Sequence, residues 1–148
     1  MPDAGRFNEL IAAFAQANGQ ASLPVDEQGV CSFVVDQTLP VNLAAAGDGE
    51  ELGVFAPLGR VPEMHRTQWL TRMLEANGAG AGMYRLGLAP GSSSAVLSAR
   101  RPMAGLDSAE LTRWLGEFVS VGRAWMSALA AGTPPAAPAA PGESWLQV

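Results

Sequence analysis

The chain has 148 residues, 48% of them hydrophobic and only 16% charged, with a formal net charge of −5. That length suits one domain with a sizeable core, and the acidic balance argues against a nucleic-acid partner, which would need a basic face. The nine basic residues are all arginine and there is one cysteine, which excludes lysine Schiff-base chemistry, a phosphate-loop lysine and an internal disulfide.

A first helix is predicted from a cap at Asp3, with Phe7, Leu10, Ile11 and Phe14 at helical spacing, to a stop at Asn18-Gly19. After the connector Leu23–Gly29, Val30–Val35 reads as a strand of β-branched, aromatic and small apolar residues. Asp36-Gln37-Thr38 supplies a turn, and Leu39, Val41 and Leu43 alternate along a second strand. Pro40 lacks an N–H, so it fits the beginning of a strand or a sheet edge. A Gly47-Asp48-Gly49 turn leads to a third strand, Glu51–Ala56, and the short connections make these three strands an antiparallel meander. Pro57–Pro62 reads as a breaker run, with Pro62 in the first turn of a second helix that carries Trp69, Leu70, Met73 and Leu74. Asn77-Gly78 ends that helix and a glycine-rich link follows. Met83–Leu88 and Ser94–Arg101 form a further hairpin. Asp107-Ser108-Ala109-Glu110 is a capping box that opens a long third helix, with Leu111, Leu115, Phe118, Val119, Gly122, Trp125, Met126 and Leu129 on a broad face. From residue 132 the composition turns to Pro/Ala low complexity, ending in an apolar cluster at Trp145-Leu146. The expected division is a folded domain over 1–131 and a flexible tail over 132–148. The fold class is α+β in the order α-β-β-β-α-β-β-α.

The sequence holds little that reads as catalytic. His65 is the single histidine and sits beside Arg66, where a solvated surface residue is the ordinary reading. One Cys and one His fall short of a zinc site. Ser92-Ser93-Ser94 is turn chemistry without a nucleophile elbow, and the glycine-rich link precedes a strand and not a helix, so it is no phosphate cradle. No window has the apolar length of a membrane span, and no basic segment of a signal peptide is visible at the N-terminus. Peptide binding is better supported. Cys31, Phe33 and Val35 share one face of the first strand and Val30, Ser32 and Val34 the other, so both faces are largely apolar and one needs a cover from outside. An edge strand could pair with an extended partner.

With this order in view, the sequence resembles the class I type III secretion chaperones, the Tir chaperone (CesT-like) family. The stretches that carry the resemblance are Phe7–Leu10, Asp26–Cys31, Leu39–Leu43, Val54–Gly59, Leu74–Asn77, Leu86–Leu88, Leu97–Arg101 and Gly105–Asp107, followed by Phe118 and Trp125. They span roughly residues 5–130; the Pro/Ala tail departs from the family pattern. The resemblance implies a homodimer with a twisted antiparallel five-stranded sheet in each subunit, covered by the first and third helices. The second helix and the last two strands would supply the dimer contact. It implies no enzyme and no cofactor. The partner would be the N-terminal segment of a secreted effector, held extended in the bacterial cytoplasm, with the secretion ATPase as a further partner. On this reading the effector contacts are Phe14, Cys31, Phe33, Val35, Val41, Leu43 and Val54. The dimer contacts are Trp69, Leu70, Met73, Met83, Tyr84 and Leu86. The competing readings are a regulatory or immunity-type domain of similar architecture that binds a folded partner, and a small hydrolase with an unrecognised site.

Overall fold

A computed structural model describes residues 4–78 and 84–135. The expected cap at Asp3, the glycine-rich link after Gly78, Met83 and the tail residues from 136 onward, Trp145 and Leu146 included, lie outside the described residues. The elements are α1 (Ala4–Ala17), β1 (Val30–Val35), β2 (Leu39–Ala46), β3 (Glu51–Arg60), α2 (Arg66–Gly78), β4 (Tyr84–Leu88), β5 (Ser94–Pro102) and α3 (Ser108–Ala131). This is the expected order. The strands form one antiparallel sheet in the order β1-β2-β3-β5-β4, so β1 and β4 are its edges.

Two boundaries differ from the sequence reading. β3 does not stop at Ala56; it continues through Pro57 to Arg60, with a bulge between Pro57 and Gly59. The register explains how a central strand tolerates the proline. Val35 pairs towards β2, because its carbonyl accepts from Thr38 N–H across the hairpin at 3.1 Å. Main-chain groups alternate sides along a strand, so Cys31, Phe33 and Val35 bond to β2, and their partners Leu43, Val41 and Leu39 bond to β1. Pro40, Asn42, Ala44 and Ala46 therefore face β3. That ladder pairs Ala46 with Glu51, Ala44 with Gly53 and Asn42 with Phe55, then ends. Continued by two residues it would set Pro40 opposite Pro57, and neither has an N–H to offer. Two facing prolines close the ladder, while β3 keeps its other side on β5. The Asn42 side-chain amide donates to the Phe55 carbonyl at 3.3 Å at this last rung.

α2 also begins later than expected. Pro62 lies outside it, because His65 takes a left-handed φ of 62° that interrupts any helix begun at Pro62. α3 starts as predicted at Asp107, whose carboxylate accepts from Glu110 N–H at 2.8 Å. The reciprocal half of the expected capping box is replaced. Glu110 turns its carboxylate to Arg113 at 2.8 Å, and the pair lowers the carboxyl's pKa. α3 ends at Gly132, which takes the left-handed conformation with its N–H on Leu129 O.

One face of the sheet is buried. Cys31, Leu39, Val41, Leu43, Leu52, Val54, Ala56, Leu58, Leu86, Ala95, Leu97 and Ala99 alternate onto it, beneath α1 and α3. α3 approaches most closely at Gly122, where a Cβ would lie 3.2 Å from Leu39 Cδ2 and 3.6 Å from Leu58 Cδ2. Arg101 lies over the Trp114 ring, 5.6 Å from its centroid, and closes one flank of α3. The opposite sheet face carries no helix among the described residues, and Val34 and Phe55 are exposed on it.

Candidate functional site

A groove of about 580 Å³ runs between β1, the C-terminal end of α1 and the middle of α3. Phe14 and Phe33 form its floor, with ring centroids 5.9 Å apart in a tilted pair. Val34 and Val35 make one wall and Thr112, Leu115, Gly116 and Val119 the other; Leu23 comes in from the connector. Asn18 fixes the α1 end. Its side-chain amide donates to the Phe14 carbonyl at 2.8 Å and to Thr112 Oγ1 at 3.3 Å. At the other end Arg123 of α3 is ion-paired with Asp36 of the β1–β2 turn. Arg123 is the one charged residue among the described residues that line the groove.

The groove runs beside a sheet edge that is still open. By the alternation derived above, Val30, Ser32 and Val34 turn their main-chain groups away from β2. The segment before β1 folds back over the first part of that edge: Val25 bridges to Cys31, and Asp26 N–H donates to Val30 O at 2.9 Å. Among the described residues nothing further along covers Val34, which is 58% exposed. Its N–H and C=O can receive an added strand, whose alternate side chains would fall into the groove.

The other edge is closed. Asn77, at the end of α2, donates from its side-chain amide to Leu86 O at 2.9 Å and accepts from Leu86 N–H at 2.7 Å. One side chain thus takes the place of a neighbouring strand on β4. Beside it Tyr84 packs on Phe118 with ring centroids 6.1 Å apart. Burial and the neighbouring Glu117 carboxylate, which it hydrogen-bonds, raise the Tyr84 phenol above its ordinary pKa.

The structure divides the residues expected to contact an effector. Phe14, Phe33 and Val35 line the groove. Cys31, Val41, Leu43 and Val54 are corrected to core, because the face they share is the one beneath the helices and they have no more than 1% exposure. Burial also pushes the Cys31 thiol pKa up. The expected dimer contacts divide likewise. Trp69 and Met73 are buried inside the subunit, as is Leu86, so they are corrected to core; Tyr84 is half-buried against α3. Leu70 is half-buried, and the exposed apolar groups around α2 are Leu74 and Met64. Leu23, Leu115, Gly116 and Val119 were not among the expected contacts. Leu115 and Val119 carried a signal, a spacing of four on α3, but the same spacing describes a core stripe.

Among the described residues no group of His, Cys, Asp and Glu is arranged to hold a metal ion, and no helix is long and apolar enough to cross a membrane.

A model of the Tir chaperone protein (CesT) family matches residues 9–126. No curated protein is matched by the sequence. Among solved structures, the chain is similar to one from the HopA1-SchA chaperone-effector complex, with 21% identity and a TM-score of 0.71 over 84% of this chain and 95% of that one. It is similar to one from the ExsC-ExsE complex at 22% identity and a TM-score of 0.70, over 87% and 97% of the two chains. The Yersinia pestis type III secretion chaperone SycH, in complex with a stable fragment of YscM2, gives 20% identity and a TM-score of 0.64 over 80% and 98%.

Proposed function

The chain belongs to the Tir chaperone protein (CesT) family, and on that premise we propose that it is a type III secretion chaperone that holds the N-terminal segment of a secreted effector in extended form. The observation that carries this reading is the apolar groove beside the open edge at Val34. Such a site recognises a segment by main-chain pairing and by alternate apolar side chains, with little demand on the exact sequence. Ordering a disordered segment costs about 2–5 kcal/mol, so several pockets must contribute together. Phe33, Val35, Leu115 and Val119 provide contiguous apolar surface for that. The family is one of chaperones, and the described lining of the groove holds no carboxylate, histidine or cysteine.

The chaperone works as a homodimer in the bacterial cytoplasm, without a cofactor, and delivers its client to the secretion ATPase. The dimer contact is carried by the outer side of α2, at Leu70 and Leu74, which are one helical turn apart and which the subunit does not bury completely.

The test is calorimetry and amide hydrogen exchange with the N-terminal segment of the effector encoded in the adjacent reading frame. Binding without nucleotide, with new protection at the Val34 amide, is expected. Binding to a folded partner domain in its place, or protection confined to the β4 side, would refute the reading.

A further inference from the structure

α3 contains two interior glycines, and the fold accounts for one of them. Glycine is the least favourable helix residue after proline. At Gly122 the cost has a structural reason, since a Cβ there would crowd Leu39 of the sheet. Gly116 is different. A Cβ built on it meets nothing within 4 Å, and its backbone is ordinary helix without a positive φ. Among the described residues neither space nor conformation asks for glycine at 116.

Its position supplies a reason from outside the chain. Gly116 is exposed on the α3 wall of the groove, between Leu115 and Val119, across from β1. We propose that Gly116 is a specificity-determining residue of the chaperone: its bare Cα seats one bulky apolar side chain of the effector segment that pairs with β1. The argument rests on the effector-binding reading of the groove. The apolar character of the occupant follows from the surroundings. Phe14, Phe33, Leu115 and Val119 line the space, and the one cation of its described lining, Arg123, is already engaged by Asp36. The extended form follows from the open edge at Val34, which sets every second side chain of an added strand towards the groove.

A methyl group at 116 should therefore act in opposite directions on the free and the bound chain. Gly116→Ala removes a helix-breaking residue in a place with room for the methyl, so the melting temperature of the full-length chain should rise by about 2–4 °C. The same methyl fills part of the seat, so affinity for the N-terminal segment of the effector encoded in the adjacent reading frame should fall on the order of tenfold, as overpacking does. Gly116→Leu should lower it on the order of a hundredfold while the chain stays folded. Ala124→Ser, exposed on α3 and outside the groove lining, should leave the affinity unchanged. Wild-type affinity in Gly116→Ala, with the parent chain binding normally, would overturn the proposal and leave the effector-binding reading standing. A lowered melting temperature for Gly116→Ala would overturn it as well, because the seat would then already be filled by the chain's own carboxy-terminal segment or a second copy. Absence of binding by the parent chain would overturn both.

Discussion

Val34→Pro separates main-chain recognition from apolar contact. In the free chain the Val34 N–H points off the sheet, away from β2, so a proline there removes no ladder hydrogen bond, and an edge strand accommodates it. The valine side chain is 58% exposed, so little packing is lost. The expected cost to folding is about 1 kcal/mol or less, the range of surface substitutions. In the complex the same change deletes a donor to the added strand. The lost hydrogen bond is worth roughly 0.5–1.5 kcal/mol, and the carbonyl it served on the client, now desolvated without a partner, adds about 1–3 kcal/mol. The sum of about 1.5–4.5 kcal/mol corresponds to a dissociation constant raised roughly 10- to 2000-fold. Val34→Thr keeps the N–H and the β-branched shape and should bind within about threefold of the parent, a difference of under 1 kcal/mol. The measurement is calorimetry with the effector's N-terminal segment, after circular dichroism and thermal melting have shown each variant folded. A folded Val34→Pro chain that binds like the parent would mean that the client does not extend the sheet at β1.

Three further outcomes follow from the same geometry. Leu74→Glu places a charge on the exposed face of α2 and should give a folded monomer by sedimentation, whereas Trp69→Glu buries a carboxylate in the core and should unfold the subunit; an intact Leu74→Glu dimer would remove α2 from the interface. Asn77→Ala leaves the Leu86 N–H and C=O without partners, so it should destabilise by about 1–3 kcal/mol and promote concentration-dependent association through β4, and a variant that is as stable and as monodisperse as the parent would show the cap to be dispensable. Burial raises the Cys31 pKa and so lowers its thiolate fraction at any given pH, and the side chain has no exposure, so at pH 8 a thiol reagent should label it only as fast as the chain unfolds; rapid labelling of native protein would contradict its place in the core.

The order of elements was legible because each announces itself locally. Alternation marks the strands, a spacing of three and four marks α1 and α3, and Asp107 marks the start of α3. What a single stretch cannot show is a property of two stretches at once. Pro57 read as a terminator because a proline ends a fully paired strand. The structure lets it stand inside β3 because the ladder to β2 has already ended at Asn42 and Phe55 while β3 goes on pairing with β5, and that is visible only once the register is known. The start of α2 was misplaced for a related reason. Pro62 suits a first helical turn, but the left-handed backbone at His65 comes between it and the helix, and a histidine takes that conformation too seldom for the sequence to announce it.

The site was legible by half. Alternation showed that Cys31, Phe33 and Val35 share a face, and that Val41, Leu43 and Val54 are apolar at alternate positions of their strands. It could not show that helices cover this face, which leaves only its rim at Phe33 and Val35 in the groove. Trp69 misled by size. A large residue on a short helix looks like an interface anchor, yet here it fills the subunit's own core, and the accessible apolar positions are Leu70 and Leu74.

The two edges of the sheet show why the groove, and not apolar surface in general, defines the site. Both β1 and β4 present main-chain groups that could pair with another chain, and an unprotected edge invites association of any kind. The chain closes β4 with the Asn77 side chain and covers the beginning of β1 with Val25 and Asp26. Among the described residues, what remains open is a short length of β1 around Val34, beside the groove. Main-chain pairing alone there would accept any extended peptide. On the proposed reading, joined to an apolar channel lined by Leu115 and Val119 and relieved at Gly116, it would accept those whose alternate side chains fit. Restricting the open edge to the stretch that lies beside the groove would then make selectivity and strand addition a single event.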